Sequence, residues 1–112
     1  MPAPREDCLF CKLVREGTQV NAADGFVAID DINPQAPVHI LVLPERHVDT
    51  FREIGAFDDA EAKRMLEFVA ATAQGAGLTD YRVVVNVGAE AGQTVFHLHW
   101  HILGGRPMGE TL

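Results

Sequence analysis

Three histidines alternate with large apolar residues near the end of the chain, in the run His97-Leu98-His99-Trp100-His101. Successive side chains of a strand point to opposite faces, so we expect the three imidazoles to share one face. The intervening side chains would face the core and set the register of the strand; they are Phe96, Leu98, Trp100 and Ile102. Neutral histidine is a nucleophile, a proton carrier and a metal ligand near pH 7. The pattern therefore predicts a site for anion chemistry or for a metal.

Length and composition favour a single globular domain over residues 1–112. The formal net charge of −7 opposes nonspecific binding to a phosphate backbone, so we expect no nucleic-acid partner, whereas a single nucleotide stays open. No apolar run approaches the ~20 residues that cross a bilayer, and the first residues lack the apolar stretch of a secretory signal. We therefore expect a cytoplasmic protein with no membrane partner.

The spacing of apolar and turn-forming residues predicts an α+β fold. A short helix is expected over residues 8–15, capped by Asp7, and a long helix from Asp58 to about residue 75. The core face of the long helix is predicted to carry Met65, Leu66, Val69 and Ala73. Strands are predicted over residues 18–22, 26–29, 38–43, 81–87 and 95–103, with Asp24-Gly25 as a hairpin turn. The close spacing of these strands favours a five-stranded antiparallel sheet, with a ferredoxin-like arrangement as the alternative.

A loop directly before the histidine run offers hydrogen-bond donors suited to phosphate oxygens. Residues 90–94 supply backbone N–H groups, the amide of Gln93 and the hydroxyl of Thr94. Asn86, on the preceding predicted strand, would either point toward the same cleft or satisfy a loop in the interior.

The only two cysteines, Cys8 and Cys11, form a Cys-x-x-Cys motif. In a reducing compartment this spacing favours metal or redox chemistry over a structural disulfide. If they converge with His47 and His97, the four residues form the two-thiolate, two-imidazole set that zinc prefers. The alternatives are two buried free thiols on a core-facing helix, or a thioredoxin-like redox site outside its usual βαβ setting.

The histidine run and the two residues after it, Ile102 and Leu103, resemble the signature of the histidine-triad (HIT) superfamily. Further segments resemble its Hint branch, the purine nucleoside phosphoramidases: residues 31–42 (DINPQAPVHILV), residues 83–86 (VVVN) and residues 104–106 (GGR). The resemblance implies a HIT-like fold with helices packed on the sheet. It also implies a homodimer whose two sheets join edge to edge.

The same resemblance implies roles for individual residues. His99, the middle histidine, would attack the α-phosphorus of a nucleotide and form a nucleotidyl-histidine, from which water releases the nucleoside monophosphate. His97, His101 and His39 complete the implied catalytic set, with His39 supporting the triad from an adjacent strand. His101, Gln93 and Thr94 match positions that contact the phosphate.

For the nucleoside, the resemblance implies that Asp31 binds the ribose hydroxyls. A set of apolar residues would surround the purine or form ordinary core; they are Leu9, Phe10, Leu13, Ile29 and Ile32. Many bacterial HIT proteins are similar in carrying zinc on the cysteine pair, a downstream histidine and the first triad histidine, which implies a structural zinc here. No motif for an organic cofactor or a Walker loop is present.

The leading functional hypothesis is hydrolysis of purine nucleoside phosphoramidates or of nucleotidyl mixed anhydrides such as an aminoacyl adenylate. Adenosine and guanosine conjugates are both compatible with it. A second hypothesis is dinucleoside polyphosphate hydrolysis by a Fhit-like enzyme. A third is a nucleotide-binding regulatory module with negligible turnover, in which the triad only binds phosphate.

Overall fold

The computed structural model describes residues 8–109 and contains one five-stranded antiparallel sheet with two α-helices. The elements in chain order are α1 (Leu9–Glu16), β1 (Asn21–Ala23), β2 (Phe26–Asp30), β3 (Val38–Pro44), a 3₁₀ helix (Phe51–Ala56), α2 (Asp59–Gly75), β4 (Tyr81–Val84), a 3₁₀ turn (Ala89–Ala91) and β5 (Trp100–Gly104). The strand order is β1-β2-β3-β5-β4, and all neighbouring strands are antiparallel. The predicted α+β class and sheet are confirmed, and the elements within residues 8–109 do not follow the βαββαβ order of the ferredoxin-like alternative.

The first hairpin turns at the predicted dipeptide. Asp24 and Gly25 both have positive φ, at 52° and 90°, as a two-residue turn between right-twisted strands requires. β1 begins at Asn21 and not at residue 18. Hydrogen bonding to β2 extends one residue further toward the N-terminus, through the Val20 N–H to the Ala28 carbonyl. β3 extends to Pro44, which pairs with Phe26 at the end of the strand, where the missing N–H of proline is tolerated.

The sheet is buried on both faces at its centre. α2 covers one face, where its Met65 and Phe68 pack against Ile40, Val42 and Ile102. α1 covers the other face with Phe10, Cys11 and Val14 against Val27, Ile29, Leu41 and Leu43. Neighbouring residues of β3 alternate between these two cores. The imidazoles of His39 and of the histidine run therefore lie on the face of the sheet that α1 covers.

The strand that carries the histidines is shorter than predicted. Regular pairing begins at Trp100, so residues 95–99 lie outside the ladder, and the Leu98 N–H donates to the Val48 carbonyl at 2.6 Å. The alternation of faces persists, because Leu98 and Ile102 lie in the core under α2. Phe96 does not, and its side chain is 43% exposed, because the irregular backbone before Trp100 turns it outward.

Other boundaries also differ from the predictions. The side chain that caps α1 is that of Cys8, whose sulfur accepts a hydrogen bond from the Cys11 N–H, and Asp7 lies outside the described residues. β4 ends at Val84 and not at residue 87. The 3₁₀ helix after β3 was not predicted, although Thr50 and Glu53 form a complete capping box at its start. None of the helices within residues 8–109 combines the length and apolar character needed to cross a membrane.

The core face of α2 is narrower than predicted. Met65 is 1% exposed, whereas the next residue, Leu66, is 54% exposed. One residue corresponds to about 100° of rotation in a helix, which turns Leu66 away from the sheet.

We predict that Met65→Ala lowers the free energy of unfolding by about 2–5 kcal/mol, because it leaves a cavity in a closely packed core. Leu66→Ala is the matched control on the same helix and should change that free energy by less than about 0.5 kcal/mol. Urea denaturation of both variants measures the difference. Equal losses would contradict the orientation of α2.

Candidate active site and metal centre

The ring of His99 is fixed by a hydrogen bond to its own segment of the backbone. Its Nδ1 lies 2.7 Å from the His97 carbonyl oxygen, and because a carbonyl only accepts, Nδ1 carries the hydrogen. The basic lone pair of neutral His99 therefore lies on Nε2. Burial lowers the pKa of His99 below its ordinary value of 6.5, so the ring is neutral near pH 7. Phe10 of α1 packs edge-on against this ring, with the centroids 4.8 Å apart.

His39 and His101 form a hydrogen-bonded pair whose tautomers follow from the backbone. The Gln35 N–H donates to His39 Nδ1 at 3.0 Å, so the hydrogen of neutral His39 lies on Nε2. That Nε2–H donates to His101 Nδ1 at 2.9 Å, which leaves the hydrogen of His101 on its own Nε2. Burial and the neighbouring His99 and His39 lower the pKa of His101 to about 4, while Asp31 opposes the shift. His101 is therefore a neutral hydrogen-bond donor at pH 7.

Asp31 lies beside this pair. Its Oδ2 is 3.4 Å from His39 Nε2, and its Oδ1 accepts a hydrogen bond from the Asn33 N–H at 2.8 Å. Asp31, His39 and His101 lie close enough together to hold a cation. The Gln35 N–H, however, places the hydrogen of His39 on Nε2, the nitrogen that would ligate, so we interpret His39 and His101 as a hydrogen-bonded pair beside the Asp31 carboxylate.

A cavity of about 250 Å³ lies between α1 and the sheet, next to His99 and His101. Most of the predicted binding residues line it: Leu9, Phe10, Leu13, Ile29, Asp31, Ile32 and Thr94. Leu41 and Val95 line it too and were not predicted as site residues, although Leu41 follows from the alternation of β3 and Val95 from its place after Thr94. The cavity has an apolar half under α1 and a polar end at the histidines.

Two predicted binding residues do not line this cavity. Asn86 is half-buried elsewhere, and Gln93 is buried with its side chain bonded to the backbone. The Gln93 Nε2 donates to the carbonyls of Asp49 and Val95 at 2.9 and 3.1 Å, and its Oε1 accepts from the Gly88 N–H at 2.9 Å. Both amide hydrogens thus already have acceptors. The side chain supports the loop from Gly88 to Val95, which we call the 88–95 loop, and Thr94 of that loop reaches the cavity.

The four predicted metal ligands converge. His97 Nδ1 lies 3.4 Å from the sulfurs of Cys8 and Cys11, and His47 Nδ1 lies 3.3 Å from the Cys11 sulfur. All four ligand atoms lie within 4.8 Å of one another, and all four residues are buried. Tetrahedral zinc with ordinary Zn–S and Zn–N bonds separates sulfur from nitrogen by about 3.5 Å, so these residues fit the ion.

The surroundings of the four residues also fit a metal. His47 Nε2–H donates to Asp49 Oδ1 at 2.5 Å, and His97 Nε2–H donates to the Pro44 carbonyl at 2.8 Å. These contacts direct both Nδ1 lone pairs toward the sulfurs, as outer hydrogen bonds do at histidine metal sites. The start of α1 brings the sulfurs together, because Cys8 is its cap and Cys11 lies in its first turn. Burial lowers the pKa of His97 to about 4, which keeps the ring neutral as ligation requires.

Known proteins share this fold and sequence. Residues 13–108 match the HIT domain family. The chain is 48% identical over 90 residues to a HIT-like protein of Chlamydia pneumoniae, covering 77% of this chain and 79% of the relative. It is 36% identical over 112 residues to the purine nucleoside phosphoramidase of Escherichia coli K12, covering 96% and 94%.

Solved structures agree with the sequence comparison. A histidine triad protein from Clostridium difficile matches with a TM-score of 0.84 and 36% identity, covering 96% of this chain and 98% of that one. A HIT family hydrolase from Legionella pneumophila matches with a TM-score of 0.82 and 36% identity, covering 94% and 98%. The chain belongs to the HIT family, as its histidine run predicts.

Proposed function

We propose that this protein is a hydrolase that cleaves purine nucleoside phosphoramidates or nucleotidyl mixed anhydrides and releases the nucleoside monophosphate. The observation that carries the proposal is the His99 ring, which is neutral and has its basic Nε2 fixed by the Nδ1 contact with the His97 carbonyl, beside a cavity. The name of the Escherichia coli relative, purine nucleoside phosphoramidase, supports this class of substrate.

The two ends of the cavity suit the two ends of a nucleotide. The apolar side chains of Leu13 and Ile29 offer a surface for the base, and Ile32, 89% exposed at the rim, offers a second one. Asp31 offers carboxylate oxygens to the ribose hydroxyls. The phosphate would then lie among Thr94, His99 and His101, where the hydroxyl and the His101 Nε2–H donate hydrogen bonds.

The reaction we propose has two steps. His99 Nε2 attacks phosphorus and the bond to the leaving group breaks, which gives a nucleotidyl-histidine; the leaving group departs with the electron pair of that bond and, where it is an amine, takes a proton from solvent. Water then attacks phosphorus and loses a proton to solvent, the phosphorus–nitrogen bond breaks, and its electron pair returns to Nε2. The neighbouring donors stabilise charge on the phosphoryl oxygens in both steps, and the His97 carbonyl stabilises the positive charge that His99 acquires.

We predict that His99→Ala lowers kcat for a fluorogenic adenosine phosphoramidate by at least about 10³-fold, because the nucleophile is removed. AMP should still bind, since Asp31, Thr94 and His101 remain. Steady-state activity assays measure the loss of kcat, and calorimetry measures AMP binding. Imidazole added to His99→Gly should restore part of the turnover.

Wild-type protein is the reference for these variants, with diadenosine triphosphate as the second substrate. Faster cleavage of diadenosine triphosphate would indicate the Fhit-like function instead. AMP binding without turnover of either substrate would indicate a regulatory module. A trapped phosphorus–nitrogen adduct on another histidine would contradict the role of His99.

We further propose that Cys8, Cys11, His47 and His97 hold a structural zinc, in a reducing compartment such as the cytoplasm where thiols persist. Four protein ligands leave no open position for substrate, so the ion would supply stability and no chemistry. Since the carbonyl of His97 accepts the His99 Nδ1–H, ligation of the His97 ring would also restrict the orientation of His99.

We predict that Cys8→Ser lowers zinc content and melting temperature together, because it removes one ligand of a closed site. Lys12→Ala is the control, as it changes an exposed residue of the same helix and should alter neither. Elemental analysis and thermal unfolding of untagged protein measure both. Folded, active wild-type protein without bound metal would show that the two cysteines are buried thiols.

We also propose a homodimer in which the sheets of two copies join at β4. Within residues 8–109, β4 pairs only with β5 and presents its other side at the sheet edge, with Tyr81 and Val83 exposed. An open edge of this kind promotes association unless another strand covers it. The opposite edge, β1, is only three residues long and offers no large apolar side chain.

We predict that the wild-type protein sediments at about twice the chain mass, and that Val83→Lys shifts it to the monomer by placing a charge at the joined edge. Val20→Lys, at another exposed apolar position outside the strands, is the matched control and should remain dimeric. Wild-type protein that sediments only as a monomer at micromolar concentration would exclude the dimer.

A further inference from the structure

Residues 47–49, which we call the 47–49 segment, contact three parts of the site. The His47 ring belongs to the metal-ligand cluster. The Val48 carbonyl accepts a hydrogen bond from the Leu98 N–H at 2.6 Å, between His97 and His99. The Asp49 carbonyl accepts from the Gln93 Nε2 at 2.9 Å. One short segment after β3 is therefore bonded to the cluster, to the histidine run and to the 88–95 loop.

Gln93 extends the Asp49 contact across the whole 88–95 loop. Besides the Asp49 carbonyl, its side chain bonds to the Gly88 N–H at 2.9 Å and to the Val95 carbonyl at 3.1 Å. Its own N–H donates to the Gly88 carbonyl at 3.0 Å. The two ends of the loop are thus joined through one buried amide, which determines where Thr94 lies beside the cavity.

The side chain of Asp49 acts on the metal side. Its Oδ1 accepts the His47 Nε2–H at 2.5 Å, a contact that fixes the orientation of the ring and directs the Nδ1 lone pair toward the sulfurs. Asp49 thus uses its carboxylate toward the ligand cluster and its backbone carbonyl toward Gln93. A shift of the His47 ring on binding a metal would be transmitted through a single residue to the loop.

We infer that Asp49 is a positioning residue that couples the metal centre to the 88–95 loop, so that metal binding and nucleotide binding strengthen each other. The inference rests on the proposed function and the proposed zinc site. The route is separate from the one through His97 and His99, because it reaches Thr94 by way of Gln93. By linkage, the factor by which the metal raises nucleotide affinity equals the factor by which the nucleotide raises metal affinity.

The experiment measures this reciprocity on the full chain with cobalt(II) and AMP as probes. AMP affinity is measured by calorimetry with and without cobalt(II), and cobalt(II) affinity by competition with a chelator with and without AMP. In wild-type protein each ligand should raise the affinity of the other at least about fivefold. AMP should also change the visible absorption of bound cobalt(II), a signal that does not depend on turnover.

Gln93→Glu tests the route through Gln93, because it keeps an acceptor for the Gly88 N–H and removes the donors to the Asp49 and Val95 carbonyls. The coupling factor should fall in this variant to the part that the route through His97 and His99 carries. Asp49→Ala should lower cobalt(II) affinity about 10- to 100-fold and reduce the coupling, and Asp49→Asn, which retains an acceptor for His47, should restore part of both. Glu90→Gln, an exposed change in the same loop, is the control and should match the wild type.

The outcomes distinguish the three proposals. Failure of AMP to bind contradicts the proposed function, and failure of cobalt(II) to bind contradicts the metal site. If both bind but neither affects the other, or if Gln93→Glu retains the full coupling, the role of Asp49 is overturned. Circular dichroism identifies a variant that does not fold. In that case the coupling factor of the wild-type protein alone tests the inference, and a coupling factor of one excludes it.

Discussion

The hydrogen bond between the His99 ring and the His97 carbonyl is the interaction on which the proposed chemistry depends. A carbonyl can only accept, so this contact decides which nitrogen of His99 is basic. Residues 95–99, which include both partners of this contact, lie outside the sheet ladder, and the Leu98 N–H donates instead to the Val48 carbonyl of the segment after β3. The histidine run is therefore part strand and part irregular chain, and the irregular part contains both His97 and His99.

A backbone group also determines the tautomers of the hydrogen-bonded pair His39 and His101. The Gln35 N–H selects the tautomer of His39, and His39 selects that of His101. Three imidazoles in the site thus acquire defined donor and acceptor atoms from neighbouring chain segments. Burial lowers the pKa values of His97, His99 and His101, so these three rings are neutral near pH 7.

The sequence predicted the fold class and the strand order along the chain, because alternation and turn residues are local signals. The Cys-x-x-Cys spacing is local too, whereas the convergence of His47 and His97 on it was implied by the family resemblance alone. The length of the histidine strand, the exposure of Phe96 and the orientation of Gln93 depend on contacts with residues 48 and 49, which are distant along the chain. No local sequence pattern marks Asp49 as a site residue. The capping box of Thr50 and Glu53 is visible in the sequence, although the 3₁₀ helix that it begins was not predicted. The catalytic and binding roles stay predictions until the site is assayed.

α1 contributes to two sites with only eight residues. Its N-terminal end brings Cys8 and Cys11 to the cluster of candidate metal ligands, and Phe10 and Leu13 form a wall of the cavity beside His99. A helix of this length has little stability of its own, so its contacts with the sheet maintain it. Under the proposed function and metal site, substitutions on this helix that change the base preference would therefore also alter metal retention. Diversification of specificity in such a chain is easier from residues 31–33, which line the same cavity and supply none of the four candidate metal ligands.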